Sequence, residues 1–368
     1  MSSMRPAPTM KSVQIKEFAR TYNFDDVISM SDQVERPKRK PGTVLIRVIA
    51  CSLAPGDCRV ASGHTELIQG PKKFPYIPGG DISGIVEEVD ENKSRFKVGE
   101  AVIAIFKSPR PFDGLAEYIV VDEKRVEKFD SEKIDFLDAV CLPSSALAAL
   151  NVVSNVMQND KVMVLGGSGG VGPFLVQLCK LAGAKFVACT STQQAMMEEL
   201  GVDRVIDYTT TNWWELEEFQ TDPFDLVFDC VGGPTGWKTI RQCKALKRSS
   251  DNGRFVALTF DEPLIQVHNY WQLVRFVSKI AGRALWNRLV QRSIPYYILP
   301  SDGLKVSPAS FKTLVDHVEA KRLKVVIDPK GPFEFTQTGV TEAFKLQASR
   351  HAHGKVVVRV ASNYVSTL

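Results

Sequence analysis

The run VMVLGGSGGVG, residues 162–172, passes from strand-forming apolar residues directly into glycine. Gly167, Gly169 and Gly172 satisfy the spacing GxGxxG between an expected strand and an expected helix, the context in which that spacing carries meaning. Bare backbone there, with Ser168, Gly170 and Val171 between the glycines, lets main-chain amides close on a pyrophosphate at the positive end of the helix. A tight strand-to-helix turn without a ligand would use the same residues. The next discriminating position is the end of the second strand, where an acid would bond the adenine-ribose hydroxyls of NAD. Thr190, Ser191 and Thr192 stand there instead. Three hydroxyls and no carboxylate favour a 2′-phosphate, and so NADPH over NADH. Tyr208, at the end of DRVIDY, either packs against the adenosine or simply ends a strand.

Positioning such a turn takes a parallel sheet, and the chain alternates accordingly after Leu142-Pro143. Strand-like KVMVL, KFVACT, DRVIDY, FDLVFD and RFVAL are separated by helical stretches, among them one from about Gly170 and one over Trp237–Leu246. Before that, from Lys11 to about Val121, short β-rich runs such as TVLIRVIA and ISGIVEEV are punctuated by proline and glycine, which implies a mainly antiparallel β domain. Beyond Pro300 two helices and a terminal strand, GKVVVRV, are expected to fold back onto that first domain. The fold class is therefore α/β, a β domain with an inserted doubly wound domain. The expected boundaries are 1–142 plus 301–368 for the first and 143–300 for the second.

Composition narrows the class further. With 368 residues, 44% apolar and 24% charged, the chain has globular proportions. A net charge of +4 without a dense Lys/Arg block offers no nucleic-acid signature. Seven scattered cysteines without a CxxC pair suit a reducing compartment and buried thiols. No run is long enough to span a bilayer. The expected location is cytoplasmic, with a mitochondrial or other organellar alternative, because Met1–Arg20 holds basic residues and only Glu17 as an acid; the final Ser366-Thr367-Leu368 only faintly suggests a peroxisomal signal. From His268 to Ile298 there is no acid, and Arg275, Lys279 and Arg283 recur opposite Trp271, Val274, Val277, Ala281 and Leu285. That is an amphipathic helix with a basic face, either covering core or a subunit interface, or touching an anionic membrane surface.

Besides the glycine turn, the motifs PGGDISGIV from Pro78, FKVGEAV from Phe96, DGLAEY from Asp113, DCVGG from Asp229 and RHAHGKVVV from Arg350 resemble the medium-chain dehydrogenase/reductase superfamily in its zinc-less quinone oxidoreductase branch. The resemblance runs from about Lys11 to Val360 and is strongest toward the reticulon-interacting mitochondrial quinone reductases, which carry a comparable basic, aromatic segment. It implies a GroES-like β domain with an inserted Rossmann domain, and a homodimer through the latter. Alcohol dehydrogenases of the superfamily place a zinc-ligand cysteine and histidine where this chain has Ala54 and Gly80, so no metal is expected. An acceptor reduced without a Lewis acid must already be electrophilic, which selects quinones and α,β-unsaturated carbonyls.

The resemblance also assigns residues. Arg59 stands where relatives often have tyrosine, either as a donor to the developing oxyanion or as a solvated or Asp57-paired arginine; Asp57 itself is expected to bond its own turn. Ser144 or Ser145 would replace a threonine that relatives place near Ala148 to bond the nicotinamide. Main-chain groups of Val231, Gly232 and Leu258 are expected near the nicotinamide half. Arg350 is either a 2′-phosphate partner or a surface ion pair, and Lys355 is expected to solvate a strand edge. The activity implied is an NADPH-dependent, zinc-independent quinone or enone reductase. The alternative is a nonenzymatic NADPH-binding sensor or scaffold, since the acceptor-side positions depart from the branch.

Overall fold

The structure, a computed structural model, describes residues 9–105, 113–233, 243–259, 265–289, 296–298 and 307–362. Most of the helix expected over Trp237–Leu246, the start of the chain up to Pro8, and Ser366–Leu368 lie outside these residues. In chain order the elements are β1 (Thr9–Ile15), β2 (Ile28–Glu35), β3 (Thr43–Leu53), α1 (Pro55–Ser62), β4 (Asp81–Glu88), β5 (Ala101–Ile105), β6 (Tyr118–Asp122), β7 (Val126–Lys128) and α2 (Phe136–Ala139). There follow α3 (Leu147–Val153), β8 (Lys161–Leu165), α4 (Gly172–Leu181), β9 (Phe186–Thr190), α5 (Gln194–Glu199), β10 (Arg204–Ile206), α6 (Glu217–Thr221), β11 (Leu226–Asp229) and β12 (Arg254–Ala257). The last are α7 (Tyr270–Leu289), β13 (Tyr296–Ile298), α8 (Pro308–Glu319), β14 (Phe333–Glu334), α9 (Gln337–Ser349) and β15 (Val356–Arg359). They divide into two compact units, one of Met1–Ser144, Val306–Ala320 and Ile327–Leu368, the other of Ser145–Lys305 and Lys321–Val326.

The first unit is organised by β3. Its sequence TVLIRVIACSL is buried at every position except Thr43 and Arg47, the pattern of a strand covered on both faces rather than one. It pairs antiparallel with β4, β6 and β15, at the centre of a sheet of order β14-β15-β3-β4-β5-β7. The returning tail thus supplies a central neighbour of β3, with Val356 opposite Leu53 and Arg359 opposite Ala50. β1 and β2 form a separate antiparallel pair.

The second unit is a six-stranded sheet of order β10-β9-β8-β11-β12-β13, every pair parallel. Counted from β8 this is the order 3-2-1-4-5-6, and the direction of winding reverses between β8 and β11. β8, KVMVL, is buried throughout. One piece of the tail departs from expectation: residues 321–326 join this unit rather than the first. The cause is Gln177 of α4, a buried amide that donates to the Lys324 carbonyl at 2.9 Å and accepts from the Lys324 amide at 2.7 Å. α7 also departs. Of the alternatives for its apolar side chains, covering a core does not hold, since Trp271, Val274, Val277 and Leu285 are exposed, and the half-buried stripe is Leu273, Phe276 and Ile280.

Lys355 is not at a wet edge. It precedes β15, which lies between β14 and β3, and it is 2% exposed, as is Asp81 at the start of β4. Its Nζ sits 3.6 Å from the Asp81 carboxylate and donates to the Leu53 carbonyl at 3.3 Å and to Ser144 Oγ at 3.4 Å. Ser144 in turn donates to Asp81. The cluster therefore ties three strands to the turn that leaves the unit. Removing one partner of a buried pair strands the other charge, so Lys355→Met should lower unfolding stability by about 3–5 kcal/mol in urea, and adding Asp81→Asn should recover much of that loss.

Candidate functional site

The winding reversal puts the C-terminal ends of β8 and β11 side by side, with Leu165 in register with Asp229. The glycine turn leaves the first and Cys230–Gly233 leaves the second. The three motif glycines are bare for different reasons. A Cβ on Gly167 would stand 2.7 Å from Cys189 of β9, and one on Gly172 only 2.2 Å from the Gly167 carbonyl oxygen, so both are fixed by packing. A Cβ on Gly169 would meet nothing nearer than the Gly166 carbonyl at 3.6 Å. That position faces open space, as it must if a pyrophosphate approaches the backbone there. α4 begins without a side-chain cap and with proline in its first turn, so no capping side chain covers the positive end of the helix. Ser168, Gly170 and Val171 complete the same turn.

Thr190 and Ser191 are buried and shape the turn. Thr190 Oγ1 accepts from the Gly166 amide at 2.9 Å and its carbonyl accepts from the Gly167 amide at 2.9 Å; Ser191 Oγ accepts from the Gln193 amide at 2.9 Å. Of the three expected hydroxyls, Thr192 alone is exposed. The nearest acid by register is Asp207, one residue beyond Ile206, the partner of Thr190. Its carboxylate is turned onto Thr209, accepting from that residue's amide and hydroxyl at 2.8 and 2.6 Å. Tyr208 is exposed beside it.

At the neighbouring strand end, Asp229 Oδ1 accepts from the amides of Val231 and Gly232 at 3.0 and 2.8 Å, and its carbonyl accepts from the Leu258 amide at 2.8 Å. The expected main-chain contacts of these three residues to a nicotinamide are thereby narrowed to carbonyl groups. The sequence marks Asp229 only as the opening of the DCVGG motif, and an aspartate that opens a glycine-rich turn is the signal for such a bond.

The acceptor-side candidates lie in the first unit. Asp57 bonds back to the Ala54 amide at 2.8 Å and also accepts from the Gly79 amide, which is the turn role expected of it. Burial pushes its carboxyl up to about 6. With those oxygens taken, the expected ion pair to Arg59 is not formed. Arg59 is half-buried, its guanidinium held below its ordinary range by burial, near Tyr22 and Arg350. Arg350 itself caps the end of α9 in the left-handed region at φ 63°. Ser144 is committed to Asp81, and Ser145 is buried at the start of the second unit.

Two outcomes follow from this geometry. Gly172→Ala should lower the melting temperature by several degrees, whereas Gly169→Ala should leave it unchanged and weaken dinucleotide binding about tenfold or more in fluorescence titration. Between 3.8 and about 6 the folded state keeps a proton on Asp57 that the unfolded chain has released. Its contribution to stability therefore falls as pH rises through that window. Asp57→Asn removes the slope, so urea unfolding should show the variant gaining on the wild type between roughly pH 4 and pH 7.

A family model described as alcohol dehydrogenase GroES-like domain matches residues 40–131, and one described as zinc-binding dehydrogenase matches residues 200–358. Zinc does not fit the positions that would hold it. Ala54 and Gly80 carry no donor, Cys51 is buried against Gly79 and Gly114, and among the described residues no group of three or more His, Cys, Asp or Glu could hold a metal. The chain is 31% identical to the chloroplastic NADPH-dependent alkenal/one oxidoreductase of Arabidopsis thaliana, over 92% of this chain and 77% of that protein. It is 27% identical to the mitochondrial NAD(P)H oxidoreductase RTN4IP1 of Danio rerio, over 92% and 89%. Among solved structures it is similar to the quinone oxidoreductase of Coxiella burnetii, with a TM-score of 0.73 at 25% identity, covering 96% of this chain and 100% of that one. A GroES-like domain, a doubly wound sheet wound 3-2-1-4-5-6 and these relatives together show that the chain belongs to the medium-chain dehydrogenase/reductase superfamily.

Proposed function

We propose that the protein is an NADPH-dependent, zinc-independent reductase of quinones or α,β-unsaturated carbonyls. The observation that carries this is the bare turn at Gly167–Gly172, open at Gly169 and uncapped at α4, in a chain 31% identical to a named alkenal/one oxidoreductase. When bound, the cofactor supplies the hydride. The chain's own work is binding and orientation. The amides after Gly169 take the pyrophosphate, and Thr192 takes the 2′-phosphate with no acid directed against it. The Asp229 turn shapes the rim on the nicotinamide side. Arg59, free of Asp57, is the cation this reading assigns to the oxyanion that develops on the acceptor. Arg350, near Arg59, is not also given the 2′-phosphate at the other end of the dinucleotide.

The homodimer belongs to the same proposal. β13 is an edge strand of the parallel sheet among the described residues, and an unpaired edge is a ready surface for a second copy. The relatives named above are chloroplastic or mitochondrial, which favours the organellar alternative over the cytoplasm.

The test is a calorimetric and spectroscopic pair. NADPH should bind roughly tenfold or more tightly than NADH, with Thr192→Asp erasing the preference, and absorbance at 340 nm should fall when a quinone or an enone is added. Equal affinity for the two nucleotides would overturn the cofactor assignment. Binding without turnover on any acceptor would favour the sensor reading, which the commitment of Ser144 to Asp81 also supports.

A further inference from the structure

α7 has three faces. Leu273, Phe276 and Ile280 form the half-buried stripe. Tyr270, Trp271, Val274, Val277 and Leu285 form a second, mainly apolar stripe that faces outward, broken by exposed Ser278 between Trp271 and Leu285, with Trp271 84% and Tyr270 77% exposed. Arg275 and Lys279, also exposed, lie along the flank of the second stripe. Single exposed apolar residues are ordinary, but five aligned along one helix, with an indole and a phenol at one end, are not. A water-soluble surface would interrupt such a stripe with acids. From His268 to Ile298 there is none, against five basic residues, Arg275, Lys279, Arg283, Arg288 and Arg292.

Charge selects the occupant. Seating α7 on the α7 of a second copy would bring Arg275 and Lys279 against themselves, which like-charge repulsion opposes. A surface that is negative and has an apolar layer beneath satisfies both stripes at once. We propose that α7 docks the protein on an anionic phospholipid bilayer, with the stripe from Tyr270 to Leu285 seated among the upper acyl chains and Arg275 and Lys279 against headgroup phosphates. The helix lies in the interface and does not cross it. Against the expectation that no run could span a bilayer, Phe136–Val153 has the length and composition to do so among the described residues, but it is mostly buried in the fold.

The inference goes beyond the reductase reading and does not need it. The full chain is sedimented with vesicles of phosphatidylcholine alone and with vesicles containing roughly one part in three of phosphatidylglycerol, at low and high salt. Binding should appear only on the anionic vesicles and weaken with salt. Arg275→Glu with Lys279→Glu should reduce the bound fraction about tenfold or more, and Trp271→Ser with Val274→Ser should do so without removing the salt dependence of what remains. All four side chains are exposed, so folding should be unaffected. NADPH fluorescence titration of each variant, expected to match the wild type, reports that the second unit is intact and tests the cofactor reading separately. Equal binding to both vesicle types, binding indifferent to the substitutions, or no binding at all would overturn the proposal. A fall in molar mass by light scattering in the Trp271/Val274 variant would also overturn it and assign the face to self-association.

Discussion

A helix that starts on a glycine turn without a side-chain cap is the constraint on which the second unit's candidate site is built. Buried amides are normally satisfied by their own chain, and a helix that starts without a cap exposes the positive end of its dipole. Here the turn after β8 gives up side chains at Gly167, Gly169 and Gly172, and α4 gives up its cap. The surrounding residues hold the turn in that form. Thr190 bonds the Gly166 amide, Cys189 fills the space that Gly167 vacates, and the Asp229 turn reaches Gly166 through Val231. Each contact fixes the loop from its inner side.

The first unit answers a different problem, which is how to bury charge near a segment that must leave the fold. Asp81, Lys355, Ser52 and Ser144 satisfy one another inside a sheet whose central strand is apolar on both faces. Ser144 is the last residue of that unit before the chain passes into the next. Asp57, a few residues beyond β3, is raised by burial, and the amides of Ala54 and Gly79 that donate to it offset only part of that rise. The polar residues on this side are thus sorted by the fold: Asp81, Lys355 and Ser144 bond one another, and Arg59 stands outside that cluster.

How much of this could be read from the residues depended on the range of the forces involved. The glycine turn, the parallel order and the place of the tail were legible because they follow from local period, turn chemistry and strand-length apolar runs. The acid-free segment 268–298 was legible as an amphipathic helix, but not the direction of its faces, since what covers a helix is decided by distant residues. Lys355 misled for the same reason. A lysine opening a strand reads as an edge residue until the register of β15 against β3 is known. The three hydroxyls at Thr190–Thr192 were read as equivalent, and only the pairing of β9 with its neighbours shows that two of them face inward. Gln177 gave no signal, because a glutamine on a helix cannot announce that it will clamp residue 324.

The central claim is that a nucleotide's pyrophosphate rests on main-chain amides between Gly169 and the first turn of α4. A crystal structure of the full chain grown with NADPH tests it most directly. The account predicts pyrophosphate oxygens about 3 Å from those amides, with no intervening side chain. A nucleotide seated elsewhere on the sheet, or phosphate oxygens held by side chains while the turn stays clear, would contradict it.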